Sequence, residues 1–106
     1  MGMKYVISES RLNRFMKSYL DTFVESNVVV NMDSYIIISQ KNNDHVVDGE
    51  WVDWMEYDHS DGRFWVNKKF LRSFMDLFGV SDGPAMDFIA SWFEDKFSVK
   101  IFNLAS

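Results

Sequence analysis

The residues most able to carry chemistry are concentrated in one stretch, residues 42–62. It contains both histidines of the chain, His45 and His59, together with two tryptophans, a tyrosine and a methionine, and it has no lysine or arginine. Its seven carboxylic acids are Asp44, Asp48, Glu50, Asp53, Glu56, Asp58 and Asp61. Such a run could coordinate a metal, exchange protons with a substrate or imitate a phosphate backbone. It could equally form the charged turns of ordinary hairpins.

A metal site in this stretch would draw on the two places where an aspartate precedes a histidine. Calcium and magnesium require clustered oxygen ligands, and zinc requires two or more histidine or cysteine ligands within reach. Neither place has the spacing of a calcium-binding loop. Because aspartates in turns commonly bond to their own backbone, we interpret them as turn residues and predict no metal or cofactor. The alternative, a metal-dependent enzyme, would use Asp44, His45, Asp58, His59 and Asp61.

Acid–base catalysis would need two carboxylates about 5–9 Å apart. Glu50 and Glu56 lie at the two ends of one predicted strand, which separates them by more than that. Asp53 lies among large aromatic side chains and is the strongest single candidate, although a charge partner such as Arg63 or Lys68 is the simpler interpretation. The chain has no nucleophile elbow, no phosphate-binding glycine loop and no H-E-x-x-H motif. A binding function is therefore favoured over an enzymatic one.

The charge of the chain bears on nucleic-acid binding. The net charge is −5, which does not steer a protein toward nucleic acid. Two predicted helices carry small basic groups, which we interpret as solvated faces: Arg11, Arg14 and Lys17, and Lys68, Lys69 and Arg72. The opposite alternative is an acidic mimic of nucleic acid that inhibits a nucleic-acid-binding protein of the host. That function would depend on Glu56, Asp58 and Asp61.

Length and composition place the chain among small globular proteins. Its 106 residues predict a single domain over 1–106, and Met1-Gly2 reads as a cloning remnant. The absence of cysteine excludes disulfides and thiolate metal sites and fits a reducing cytoplasm. No apolar run approaches the roughly 20 residues of a membrane span, and the first residues lack the apolar core of a signal peptide. A cytoplasmic protein with no membrane contact is expected.

The hydrophobic pattern predicts an α+β domain. A stripe at helical spacing, from Leu12 to Val24, predicts the first helix. Two β-branched runs, 28–30 and 35–38, predict a hairpin that is apolar on both faces and so covered on both sides. Residues 50–57 and 63–67 predict a second hairpin, and two helices follow from Asn67 to about residue 97. The predicted order is α-β-β-β-β-α-α, an antiparallel meander of three to four strands with helices against it. Residues 99–102 are expected to form a last short strand or a packed tail.

The aromatic residues of the second hairpin indicate the most specific functional hypothesis. If Tyr57 pairs with Arg63, one face of the hairpin is open or covered by helices and carries Trp51, Met55, Tyr57 and Trp65. Tryptophan and tyrosine dominate binding hot spots. We therefore predict a protein–protein interaction module, with a foreign partner or a second copy in a homodimer. The predicted contact residues are Trp51, Asp53, Met55, Tyr57, Arg63 and Trp65.

Several segments also resemble a family. An I-S-E-x-R-L motif lies near the start of residues 4–21, and residues 57–62 read Y-D-x-x-D-G. A phenylalanine-rich helix is predicted after them, and Trp92-Phe93-Glu94 gives a W-x-E motif. In these features the chain resembles small uncharacterised proteins of marine tailed bacteriophages. The resemblance implies a phage origin and a setting in the host cytoplasm or the virion. It implies no activity, so no functional residue is carried over.

Overall fold

Eight elements follow one another in the computed structural model, which describes residues 9–40 and 52–106. They are α1 (Glu9–Glu25), β1 (Val28–Asn31), β2 (Tyr35–Ser39), β3 (Asp53–Asp58), β4 (Arg63–Val66), α2 (Lys68–Phe78), α3 (Asp82–Phe97) and β5 (Asn103–Ala105). The predicted α+β class and the order α-β-β-β-β-α-α are confirmed, with a short fifth strand added at the end. No described helix is long and apolar enough to cross a membrane.

The sheet has the order β1-β2-β3-β4-β5. The first four strands form an antiparallel meander, and β5 pairs parallel to β4 after the chain has crossed over through α2 and α3. The buried hydrophobic residues of the sheet alternate along the strands and share one face; they are Ile36, Ile38, Met55, Tyr57, Phe64 and Val66. That inner face packs with α1, α2 and α3 into one hydrophobic core.

The helices pack on only one side of the first hairpin among the described residues, where Ile36 and Ile38 are buried against them. Ile37 and the buried Ser39 point to the second side, and the covering of that side stays a prediction. The β-branched residues on the second side therefore belong to a surface without a helical layer in the described part of the chain.

Local sequence signals account for the helix ends. The Asn67 side chain accepts a hydrogen bond from the backbone N–H of Lys69 at 2.8 Å, which caps α2. Gly79 ends that helix in the left-handed conformation that glycine adopts readily. Within α1, Met16 and Leu20 are buried, but Phe15 of the same predicted stripe is 47% exposed and lies under the Arg11 guanidinium. The stripe is therefore narrower than its sequence pattern indicates.

The end of the chain is a packed tail followed by a strand. Ser98 turns the chain after α3 with a positive φ of 54°, and residues 99–102 pack as a tail. The Phe102 N–H then donates to the Gly62 carbonyl at 2.8 Å, and β5 begins one residue later. The predicted terminal strand over 99–102 is therefore displaced to Asn103–Ala105, since only there does the backbone reach the edge of β4.

Candidate interaction surface

The second sheet face, called here the outer face, carries a row of side chains that runs across all five strands. Pairing places Val30 beside Ile37, Ile37 beside Glu56, Glu56 beside Trp65 and Trp65 beside Ala105. Each of these five residues is half-buried. Glu56 is the only acid in the row and sits on the central strand, between an isoleucine and a tryptophan. The outer face therefore combines an apolar band with one carboxyl group at its centre.

The position of Glu56 raises the pKa of its carboxyl group. Burial raises the pKa of the Glu56 carboxyl above its ordinary value, and a hydrogen bond and charge repulsion from Asp53 raise it further. Among the described residues, neither Asp53 nor Glu56 forms an ion pair with a lysine or arginine, since both recorded ion pairs involve Asp21. The two acids thus form a pair without a cation in the described part of the chain.

A β-bulge brings Asp53 and Glu56 to the same face. Ile38 pairs with Met55, but the next residue, Ser39, pairs with Asp53, so Trp54 is an extra residue on β3. The Ser39 hydroxyl donates to Asp53 Oδ1 at 2.6 Å and holds that carboxylate on the outer face. In a regular strand, residues three apart would lie on opposite faces, which is why sequence analysis did not find this pair.

The same bulge moves Trp54 to the helix side. Its ring contacts those of Phe23 and Phe70, at centroid distances of 6.2 and 6.4 Å. Its indole N–H donates to Asn27 Oδ1 at 3.2 Å. Trp54 therefore links the sheet to α1 and α2 and is not part of the outer face.

The predicted hairpin register is wrong by one residue. Tyr57 pairs with Phe64, and Asp58 pairs with Arg63, because Asp58 belongs to the strand and the loop has four residues instead of five. Gly62 closes this loop with a φ of 67°, and its N–H donates to the Asp58 carbonyl at 2.9 Å. The slip leaves Trp65 on the face opposite to Tyr57.

The predicted contact residues are consequently divided between the two faces. Met55 is 0% exposed and Tyr57 is 5% exposed, so both lie in the core and neither is available to a partner. Asp53 and Trp65 lie on the outer face, with Arg63 near its end. Trp51 lies outside the described residues. Ile37 and Val30, which sequence analysis did not include, complete the outer face, and the alternation of β2 was the signal that could have identified Ile37.

At the end of the outer face, a shallow depression of about 450 Å³ is lined in part by Tyr35, Ile37, Glu56, Arg63 and Trp65. Tyr35, Asp58 and Arg63 form the next row across the sheet. Hydrogen bonds from Ser60 lower the pKa of the Asp58 carboxyl, with smaller contributions from nearby positive charge that include Arg63. Arg63 is therefore placed beside Asp58, two residues from Glu56.

Asp58, the last residue of β3, and Asp61 in the loop both accept hydrogen bonds from residues of the turn. Asp58 Oδ1 accepts hydrogen bonds from the Ser60 backbone N–H at 2.8 Å and from the Ser60 hydroxyl at 2.7 Å. Asp61 Oδ1 accepts from the Arg63 N–H at 3.0 Å. The His59 ring lies edge-on to Tyr57. These contacts agree with the turn interpretation of Asp58 and Asp61.

For the metal alternative, the described residues contain no group of three histidine or acidic side chains placed to hold an ion. Asp44 and His45 lie outside the described residues, as do Asp48 and Glu50. Of the acids assigned to the nucleic-acid mimic, Glu56 lies on the outer face, Asp58 at its end and Asp61 in the loop. The acidic mimic stays a prediction.

Comparison with known proteins adds no family. No protein-family model, curated protein or solved structure matches this chain. The resemblance to proteins of marine tailed bacteriophages stays a prediction.

Proposed function

We propose that this chain is a small, non-enzymatic protein-interaction module that docks through its outer face to a partner protein with a basic side chain. The observation that carries the proposal is the position of Glu56, a half-buried carboxyl between Ile37 and Trp65 that is hydrogen-bonded to a second acid. A lysine or arginine from a partner would neutralise the pair while the apolar band around it is covered.

Apolar and charged residues of the outer face would make different contacts with the partner. Trp65 and Ile37 supply rigid apolar contact area next to each other, and tryptophan is a common anchor of binding hot spots. Asp53 and Glu56 supply charge at the centre, where desolvation strengthens an ion pair with a guanidinium or ammonium group. Arg63 lies near the end of the surface, beside Asp58, where it would contact the rim of the interface.

A second copy of the chain fits this surface less well. A homodimer that packed outer face to outer face about a two-fold axis through the central row would bring Glu56 close to its own symmetry mate. Like charges in such a contact are unfavourable, and each chain already has a net charge of −5. A foreign protein with a basic and apolar docking surface avoids both costs.

The test is affinity capture from host lysate with matched baits. The expected partner binds the native chain and the Glu25→Lys control, which changes the same charge on the exposed end of α1. It is lost with Glu56→Lys, and binding falls at least about tenfold with Trp65→Ala. Reversing one basic residue of that partner to glutamate should restore binding to Glu56→Lys.

Two results would contradict the proposal. A light-scattering mass showing a dimer that Trp65→Ala dissociates would place a second copy on the outer face. Loss of capture with the double variant Asp58→Asn and Asp61→Asn, but not with Trp65→Ala, would instead favour the acidic mimic of nucleic acid. In that case binding would also weaken steeply as salt is raised.

A further inference from the structure

A second surface, independent of the outer face, lies between α1 and α3. It is a groove of about 560 Å³, within the size range of small-molecule sites. Phe88 and Trp92 from α3 give it apolar side chains, and Trp92 is only 5% exposed. Arg14 and Lys17 approach from α1, and Lys96 approaches from α3.

The carboxylate of Asp21 contacts groove residues of both helices. Asp21 Oδ1 accepts the Trp92 indole N–H at 2.9 Å, and Asp21 Oδ2 lies 2.8 Å from Lys17 Nζ. Lys96 Nζ lies 4.0 Å from the same carboxylate. The hydrogen bond from Lys17, followed by that from Trp92, lowers the pKa of Asp21. Asp21 thereby accepts a hydrogen bond from the indole of Trp92 and lies near two ammonium groups, which come from two different helices.

The charge of the groove differs in sign from that of the chain. Arg14, Lys17 and Lys96 line it together with the carboxylates of Asp21 and Asp95, so its lining carries a net positive charge. The chain as a whole carries −5. Lys17 and Lys96 each make a single ion pair among the described residues, with Asp21. Because an ammonium group has three N–H donors, each lysine could also donate to a ligand.

We propose that this groove binds a small aromatic phosphomonoester. The phosphate would lie among Arg14, Lys17 and Lys96, whose N–H groups would donate to its oxygens. The ring would lie on Phe88, the half-buried aromatic side chain of the groove. Polar side chains on both helices, Asn13 and Ser91, would accept or donate hydrogen bonds at the edge of the ring.

The test uses phenyl phosphate as the probe and two-dimensional NMR of the ¹⁵N-labelled chain as the readout. Saturable shifts of the Trp92 indole N–H and of residues 13–21 and 88–96 are expected, with a dissociation constant of about 1 mM or below. The double variant Arg14→Gln and Lys96→Gln should weaken binding by at least about tenfold. The control Lys68→Gln and Lys69→Gln removes the same charge from exposed positions on α2 and should leave binding within about twofold.

Three outcomes would overturn the proposal. The first is the absence of a saturable shift at Trp92. The second is equal weakening in the two double variants, which would mean that only net charge matters. The third is binding of inorganic phosphate or of phenol as tight as that of phenyl phosphate, since the groove would then recognise only an ion or only a ring. Should the double variant fail to fold, Arg14→Gln alone serves, because Arg14 is exposed and its replacement leaves the Asp21 contacts in place.

Discussion

Asp53 and Glu56 lie three residues apart on β3, yet their carboxyl groups interact on one face of the sheet, where Asp53 raises the pKa of Glu56. The bulge at Trp54 makes this possible, since it shifts the alternation of the strand by one residue. The pair is therefore a product of the register between β2 and β3. It gives the outer face its only central charge.

The raised pKa of Glu56 predicts a pH dependence of stability. Because the folded protein binds this proton more tightly than the unfolded chain, the stabilising contribution is fully present below the ordinary pKa of 4.5. It is lost as pH rises through the folded pKa. Glu56→Gln should remove this slope and raise the free energy of unfolding at pH 7 by about 0.5 kcal/mol or less, because solvent screens the like-charge repulsion at this half-buried position.

Urea unfolding between pH 4.5 and 7.5 measures this effect. Glu25→Gln is the control, because Glu25 is exposed at the end of α1 and its replacement should leave the pH profile parallel to that of the native chain. A Glu56→Gln variant that keeps the native slope would show that Glu56 does not titrate in this way.

The observed register predicts a large loss of stability from substitution at one position of β4 and a small loss at the next position. Phe64 is fully buried, so Phe64→Ala should lower the free energy of unfolding by about 3–5 kcal/mol. Trp65 lies on the outer face, and Trp65→Ala should cost only about 1 kcal/mol. Denaturant unfolding gives both values, and Phe64→Leu provides a milder core change if Phe64→Ala does not fold. A larger cost at Trp65 than at Phe64 would restore the register in which Tyr57 pairs with Arg63.

Alanine substitutions at Gly79 and Gly62 allow the stability cost of backbone strain to be measured apart from the cost of side-chain crowding. Gly79 has a φ of 64° and open space around it, so Gly79→Ala should cost about 1–2 kcal/mol from the left-handed conformation alone. Gly62 has a φ of 67°, and a Cβ there would also collide with the Phe102 ring. Gly62→Ala should therefore cost about 1–3 kcal/mol more.

Thermal or urea unfolding of the Gly62→Ala, Phe102→Ala double variant completes this comparison. Phe102 is 67% exposed, so its removal alone should cost little. The double variant should recover most of the difference between Gly62→Ala and Gly79→Ala. Equal costs for the two glycine variants would mean that β5 does not approach Gly62 as described.

The hydroxyl group of Tyr57 is expected to stabilise the C-terminal tail. It donates to the Lys100 carbonyl at 2.7 Å from within the core. Tyr57→Phe should lower the free energy of unfolding by about 1–2 kcal/mol and speed hydrogen exchange in residues 99–105. Tyr35→Phe, at an exposed position, should change stability by less than about 0.5 kcal/mol. Unchanged exchange in the tail of Tyr57→Phe would contradict this role.

Local patterns were sufficient for the elements of this protein. The apolar stripe of α1, the Asn67 cap and the Gly79 end of α2 each depend on residues within a few positions of one another. Helix and strand periods, caps and turn residues act over that range, which is why the α+β class and the element order followed from composition and spacing. The turn character of Asp58 and Asp61 followed in the same way.

The pairing of distant segments decided the surfaces. Whether Trp65 joins Tyr57 or Glu56 depends on a one-residue choice in the hairpin, and alternation within β4 alone is equally consistent with both. Whether Asp53 meets Glu56 depends on Ser39, fourteen residues earlier in the chain. Asp21 meets Trp92 across 71 residues. Side-chain contacts of this kind exist only once the sheet and helices have packed, so the outer face and the groove between α1 and α3 could be read only from the tertiary structure.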